Sequence, residues 1–228
     1  MAGVPGVKSR KLCLRPRLVL LATVLFGCEY NGGMTADHRL ILASTSPYRA
    51  ALLARLGVGF EQCAPGIDET REPNEPPEDY VRRLAREKAR AGAEGRTGCI
   101  TIGSDQVCVI GERVLGKPGD IESAHAQLRQ VSGRRLYFVT AVAVYDTDTG
   151  TEEHALSTDE VVFRTLDETS IRRYVAADHP LDCAGSFRVE GLGITLFDAV
   201  HSSDPTSLVG LPLISLAQLL RNRGMTLP

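Results

Sequence analysis

From Leu40 onward, short apolar runs alternate with stretches whose apolar residues recur every three or four positions. These are the periodicities of buried strands and amphipathic helices. Leu40-Ile41-Leu42-Ala43 predicts a buried strand, halted by Ser44-Thr45-Ser46-Pro47, which sets a hydroxyl at a helix N-cap and proline at the first helical position. The helix so opened runs to about Leu56 and closes at Gly57. A loop rich in Pro and Glu, 65–78, leads to a second helix from Glu78 to about Ala93. Residues 99–102 predict another buried strand, ending in Gly103-Ser104-Asp105-Gln106 and followed by the apolar run 107–110. A helix is expected over 121–131, and strands over 135–145 and 153–164 about a turn at 146–150. A helix near 168–177, a Gly-rich segment at 184–193, a strand at 194–200 and a helix at 211–223, stopped by Gly224, complete the chain. Strands alternating with helices, without repeat or linker, give an α/β fold in one domain, 34–228.

The first 33 residues stand apart from this pattern. They hold Lys8, Arg10, Lys11, Arg15 and Arg17 against Glu29 alone, so they carry net +4 and the remainder carries −6 of the chain's −2. A basic stretch followed by the apolar run 18–26 and Gly27-Cys28 has the layout of a signal or lipoprotein segment. It is shorter than the roughly 20 apolar residues of a membrane span. The competing expectation, and the favoured one, is translation from Met34, six residues before the first strand.

Composition narrows the function classes. Of 228 residues, 43% are hydrophobic and 24% charged, which excludes long disorder, collagen, coiled coil and multi-pass membrane architecture. A net charge of −2 argues against gripping nucleic acid through bulk positive potential. Phosphate binding would have to come from a few placed cations. The six cysteines form no CxxC pair and no metal-ligand spacing with the five histidines, and those after residue 33 read as small buried residues in a reducing compartment.

Four segments offer such cations and acids. The junction at 43–49 joins free helix N–H groups to three hydroxyls, with Arg49 in the first turn, where a cation opposes the helix dipole. It is either a capped helix with a solvated arginine or an anion site. Lys88 lies one turn beyond Leu84, on the stripe of Val81, Leu84 and Ala85, so it either snorkels past the core or projects into a cleft. Asp105 is expected at a strand end, where ligands of open α/β sheets collect, and could hold a divalent cation together with the loop acids Asp68-Glu69, or take a proton from water. Asp68 and Asp182 read as turn aspartates capping backbone N–H groups. Lys117 adds a cation in the stiff loop Gly116-Lys117-Pro118, although no P-loop signature is present.

Taken together, Leu42-Ala43-Ser44-Thr45-Ser46-Pro47-Tyr48-Arg49, Ile67-Asp68-Glu69-Thr70, Glu87-Lys88-Ala89, Gly103-Ser104-Asp105-Gln106-Val107, Gly116-Lys117-Pro118, Cys183-Ala184-Gly185-Ser186-Phe187, Glu190-Gly191-Leu192-Gly193 and Gly210-Leu211-Pro212-Leu213 resemble the Maf family of nucleoside triphosphate pyrophosphatases. The resemblance runs in family order from about Leu40 to Gly224. It implies a two-lobed Maf/ITPase-like α/β fold, with an elongated mixed sheet, a cleft site and a cytoplasmic homodimer. It also implies hydrolysis between the α- and β-phosphates, assisted by Mg2+ or Mn2+. Ser44, Arg49, Lys88 and Lys117 would then hold phosphates, Glu69 and Asp105 would place the metal, and Asp105 would accept the proton of the attacking water. Gly103-Ser104-Asp105-Gln106 is similar to the subfamily acting on 7-methyl-GTP, with Tyr48, Gln106 and Glu190 setting base choice. Such a base is cationic, which suits an aromatic face and a carboxylate; Gln106 can both donate and accept along its edge. A dTTP/UTP pyrophosphatase and a nucleotide-binding regulator of septum formation are the alternatives within the same resemblance.

Overall fold

The computed structural model describes residues 39–227, so the expectations for 1–33 lie outside the described residues. Chain order is β1 (Arg39–Ala43), α1 (Pro47–Ala54), β2 (Phe60–Cys63), α2 (Pro77–Ala93), β3 (Cys99–Ile110), β4 (Arg113–Leu115), α3 (Ile121–Val131), β5 (Arg135–Asp146), β6 (Glu152–Phe163), α4 (Glu168–Asp178), β7 (Phe197–His201) and α5 (Leu213–Asn222). The strands form one sheet in the order β2-β1-β3-β5-β6-β7, with β4 also on β3. β1 runs parallel to β2 and β3, and the other pairs are antiparallel, so the sheet is mixed.

The helices begin and end where the sequence marks them. Ser46 caps α1, its Oγ accepting from Arg49 N at 3.3 Å, and Pro47 opens the first turn. Asp120 and Asp167 cap α3 and α4 in the same way. Helix α2 has no side-chain cap, but Glu78 and Asp79 face the positive end of its dipole and Arg90 the negative end.

β3 corrects one expectation. In place of a strand that ends at 103–106, residues 99–110 form one strand, and Asp105 sits inside it opposite Ala141 of β5. β1 pairs along one edge of β3 only as far as Ile102, and β4 resumes on it at Cys108. Residues 103–107 therefore have a neighbour on the β5 side only, and this open stretch is where the cleft forms. β2 and β4 were not anticipated, and the expected strand at 194–200 is a 3-10 turn, Leu192–Leu196, followed by β7.

The pleat sends alternate β3 residues to opposite faces. On one face Val107 and Val109 pack with Val81, Ala85 and Ala89 of α2. On the other, Ile100 and Ile102 join α1 and α5 in one cluster, while Cys108 and Ile110 join α3 and α4 in a second. Two cores share this face, which is the two-lobed plan, and the open stretch of β3 lies between them.

Candidate active site

Gly103 lets α2 come close. A Cβ there would stand 2.1 Å from Ala85 O and 2.5 Å from Ala89 N, so no other residue permits this approach. The consequence is that Lys88, 4% exposed, enters the cleft. Its Nζ donates to Asp105 Oδ1 at 2.6 Å and lies 2.9 Å from Glu69 Oε1. Of the two readings of Lys88, snorkelling and projection, the structure adopts projection.

Glu69 is delivered by the loop that precedes α2. Tyr80 Oη donates to Glu69 O at 2.7 Å, and Arg83 ties the loop down through Glu75 at 2.8 Å and Thr70 O at 3.1 Å. Asp68 spends its Oδ1 on Thr70 N and Oγ1, the turn role expected of it. Asp182 does not follow that expectation: it is exposed beside the cleft, and among the described residues it accepts only from the Cys183 thiol.

Ser44 is buried where β1 ends, its Oγ accepting from Ser46 N at 3.2 Å. Arg49 donates through Nε to Gly210 O at 2.9 Å, and no carboxylate among the described residues pairs with it. Burial pulls the guanidinium pKa down, while the charges of Asp105 and Glu69 pull it back. It is a half-buried cation lacking a direct carboxylate partner among the described residues. Lys117 is exposed in a loop fixed by Gly119 N to Leu181 O at 3.1 Å and Gly185 N to Gly116 O at 3.4 Å. Ser44, Tyr48, Arg49, Glu69, Lys88, Asp105, Gln106 and Lys117 all line one cavity. An adjoining cavity shares Tyr48, Arg49, Gln106 and Lys117 and adds Phe187, Arg188 and Glu190.

Every sequence-predicted site residue therefore reaches one continuous cleft. Gln106 needs a correction in detail. Its Nε2 is already committed, donating toward Thr140 Oγ1 at 2.9 Å, Ser207 O at 2.8 Å and Leu208 O at 3.2 Å. It has acceptor capacity left for a ligand and no free donor. Arg188 was missed, and it falls between two of the motifs. Phe187, edge-on to Phe138, Phe163 and Phe197, pins the segment. Asp178 Oδ1 then takes Arg188 Nη2 at 2.6 Å, while Nη1 lies 3.4 Å from Tyr48 Oη. Burial raises the Asp178 pKa, and Arg188, the Tyr174 hydroxyl and a backbone N–H together more than offset this, leaving it below the ordinary carboxylate value.

Among the described residues, no group of three His, Cys, Asp or Glu could hold a metal unaided. Glu69 and Asp105 nonetheless converge on one point, marked by Lys88 Nζ. Two carboxylates completed by substrate phosphates and water are a donor set suited to Mg2+ or Mn2+. Among the described residues, no helix is long and apolar enough to cross a membrane.

Residues 39–223 match the model of the family described as Maf-like protein. A protein of Xanthomonas campestris pv. campestris named 7-methyl-GTP pyrophosphatase is 52% identical over 190 residues, covering 83% of this chain and 98% of that one. A Pseudomonas putida protein of the same name is 49% identical over 189 residues, 83% of this chain and 98% of its own. Among solved structures, the Staphylococcus aureus Ham1 protein is similar with a TM-score of 0.40 and 16% identity over 55% of this chain and 71% of that chain. The family match spans the sheet, both lobes and every residue of the cleft: this chain belongs to the Maf family.

Proposed function

We propose that the protein hydrolyses nucleoside triphosphates between the α- and β-phosphates, releasing a nucleoside monophosphate and pyrophosphate, with 7-methyl-GTP as preferred substrate. The observation that carries the reading is the convergence of Lys88, Glu69 and Asp105 in one cavity with Arg49, a cation that no described carboxylate pairs. It is joined by relatives about half identical that bear that name. In the proposed reaction Ser44, Arg49, Lys88 and Lys117 bind the triphosphate. Water attacks the α-phosphorus, the bond to the bridging oxygen breaks, and pyrophosphate leaves. Asp105 takes the proton of the water through a carboxylate oxygen. Glu69 and Asp105 would hold the divalent cation, which when bound neutralises developing phosphate charge.

Base choice follows from the adjoining cavity. Tyr48 offers a ring face to a cationic base, Glu190 an exposed carboxylate, and Gln106 an acceptor oxygen. The positive charge of Arg188 is matched by Asp178. A homodimer in the cytoplasm belongs to the same proposal and rests on the family resemblance.

The test is pyrophosphate release by the full chain from 7-methyl-GTP, GTP, dTTP and UTP, with Mg2+, Mn2+ or chelator, and Asp105→Asn as control. Preference for 7-methyl-GTP, lost in the variant and in chelator, is expected. Preference for dTTP or UTP would end the reading of Tyr48, Gln106 and Glu190 as a set that selects 7-methylguanine. Silence from a folded protein on every nucleotide would end the reaction itself.

A further inference from the structure

The turn at 204–210 reaches the reading and phosphate parts of the cleft through its backbone. Ser207 O accepts from Gln106 Nε2 at 2.8 Å and from Thr140 Oγ1 at 3.1 Å. Leu208 O accepts from Gln106 Nε2 at 3.2 Å, and Gly210 O from Arg49 Nε at 2.9 Å and Ser104 Oγ at 2.8 Å. The turn is itself fixed from below. Asp204 Oδ1 accepts from Thr206 N and Oγ1, its Oδ2 from Ile214 N, and Thr206 Oγ1 from Leu213 N.

A carboxamide has a donor end and an acceptor end, exchanged by a half-turn of the side chain. At Gln106 the surroundings permit one choice. Two backbone carbonyls face the same end, and an oxygen there would meet oxygen. Thr140 Oγ1 gives its only proton to Ser207 O, so toward Gln106 it can only accept. Nitrogen therefore points to the turn. Oε1 accepts from no described residue, and of the twelve residues of β3 Gln106 is the one that is only partly buried.

We propose that Thr140 and the 204–210 turn are a positioning device that locks Gln106 with its carbonyl oxygen toward the base, so that the site takes bases offering a ring N–H and rejects bases whose ring nitrogen is an acceptor. The inference rests on the nucleotide reading above and gives it a substrate class. Guanine, with N1–H and an exocyclic amine beside it, meets Oε1 with donors; adenine N1 and cytosine N3 meet it with lone pairs. Uracil and thymine also carry a ring N–H, so this device sorts keto from amino bases. Thr140 acts through Gln106 and is a positioning residue.

The test measures binding, which needs no turnover. Calorimetric dissociation constants of the full chain are taken for the non-hydrolysable α,β-methylene analogues of 7-methyl-GTP, GTP and ATP. Thr140→Val removes the hydroxyl at nearly constant volume, and Thr140→Ser keeps it. Wild type is expected to prefer either guanine analogue over ATP. Thr140→Val should lower that ratio about tenfold, chiefly by tightening ATP, while Thr140→Ser keeps it. An unchanged ratio in Thr140→Val, an equal loss in Thr140→Ser, or a wild type that does not distinguish the bases or binds none of them would overturn the proposal. A measurement on wild type alone guards against a variant that fails to fold. The Gln106 side-chain amide protons, assigned in NMR spectra by their loss in Gln106→Met, should exchange slowly with solvent before any ligand is added; fast exchange would overturn the lock. Failure of hydrolysis with an intact binding ratio would end the proposed reaction and leave the lock standing.

Discussion

Replacing Lys88 with methionine isolates the interaction on which the proposed chemistry is built. The ammonium is 2.6 Å from Asp105 Oδ1 and 2.9 Å from Glu69 Oε1, with side-chain exposures of 5%, 10% and 55% for Lys88, Asp105 and Glu69. Glu69 remains solvated, so its share is that of a surface pair, at most about 1 kcal/mol. Asp105 is different. Without Lys88 a nearly buried carboxylate loses its counter-ion, and breaking such a pair from one side costs about 3–5 kcal/mol. For a chain of this size that is a fall in Tm of roughly 6–20 °C. Asp105→Asn leaves the ammonium its contact with Glu69 and should cost less, about 1–3 kcal/mol. Removing both charges together should recover much of the loss, with a coupling of at least about 2 kcal/mol between the two sites. With no tryptophan in the chain, urea unfolding of the four proteins is followed by far-UV circular dichroism. A Lys88→Met cost below about 1 kcal/mol, or strictly additive variants, would refute the buried pair and the geometry drawn from it.

Gly103→Ala adds a Cβ at 2.1 Å from Ala85 O, which α2 can relieve only by moving away and taking Lys88 with it; a loss of roughly 1–3 kcal/mol or more in urea unfolding, with pyrophosphate release falling in parallel, is expected. Arg49→Met removes a guanidinium whose pKa burial depresses; stability should hold or rise in the same assay while KM for the triphosphate rises, and an intact KM would end its phosphate role. Asp159 is fully buried under the 204–210 turn, and burial raises its pKa, with Ser202 and Ser207 hydrogen bonds opposing and Asp204 adding to the rise. A carboxyl pKa raised by folding destabilises the native state above the folded value and stops doing so below the unfolded one. Asp159→Asn should therefore gain Tm over wild type at pH 7, and the gain should shrink as pH falls toward about 4. A gain that does not vary with pH would refute the titration.

The strand and helix periodicities located most of the sheet because burial and patterning agree there. β3 failed locally: Gly103-Ser104-Asp105 are turn-forming types, and their strand geometry is imposed by what they touch. Gly103 admits α2, Ser104 Oγ reaches Ala141 O and Gly210 O, and Asp105 meets Lys88, all long-range partners. β2 and β4 are short, and β2 is an edge strand with Glu61 and Gln62 exposed, so neither carries an apolar run to notice. The apolar stripe singles out Lys88 but leaves snorkelling and projection both open; the choice comes from Asp105 and Glu69, which the fold brings to it. Arg188 was not legible, because a loop arginine is ordinarily solvated, and its significance comes from Asp178 and Tyr48, which only the fold brings to it.

The same pleat explains how one strand serves two tasks. Asp105 and Gln106 are neighbours in sequence, yet alternation sends the first to Lys88 on α2 and the second to the carbonyls of the 204–210 turn. The proposed proton acceptance and the proposed base reading would thus rest on opposite faces, in separate packing environments, with a single backbone step between them. Changes beneath α2 should act on the rate for every base alike. Changes around Thr140 and Ser207 should alter the choice among bases and leave the rate for the favoured one. A register slip of one residue in β3 would exchange the two faces and abolish both functions at once. The β5 pairing, continuous from Ile100 to Val109, is what prevents it.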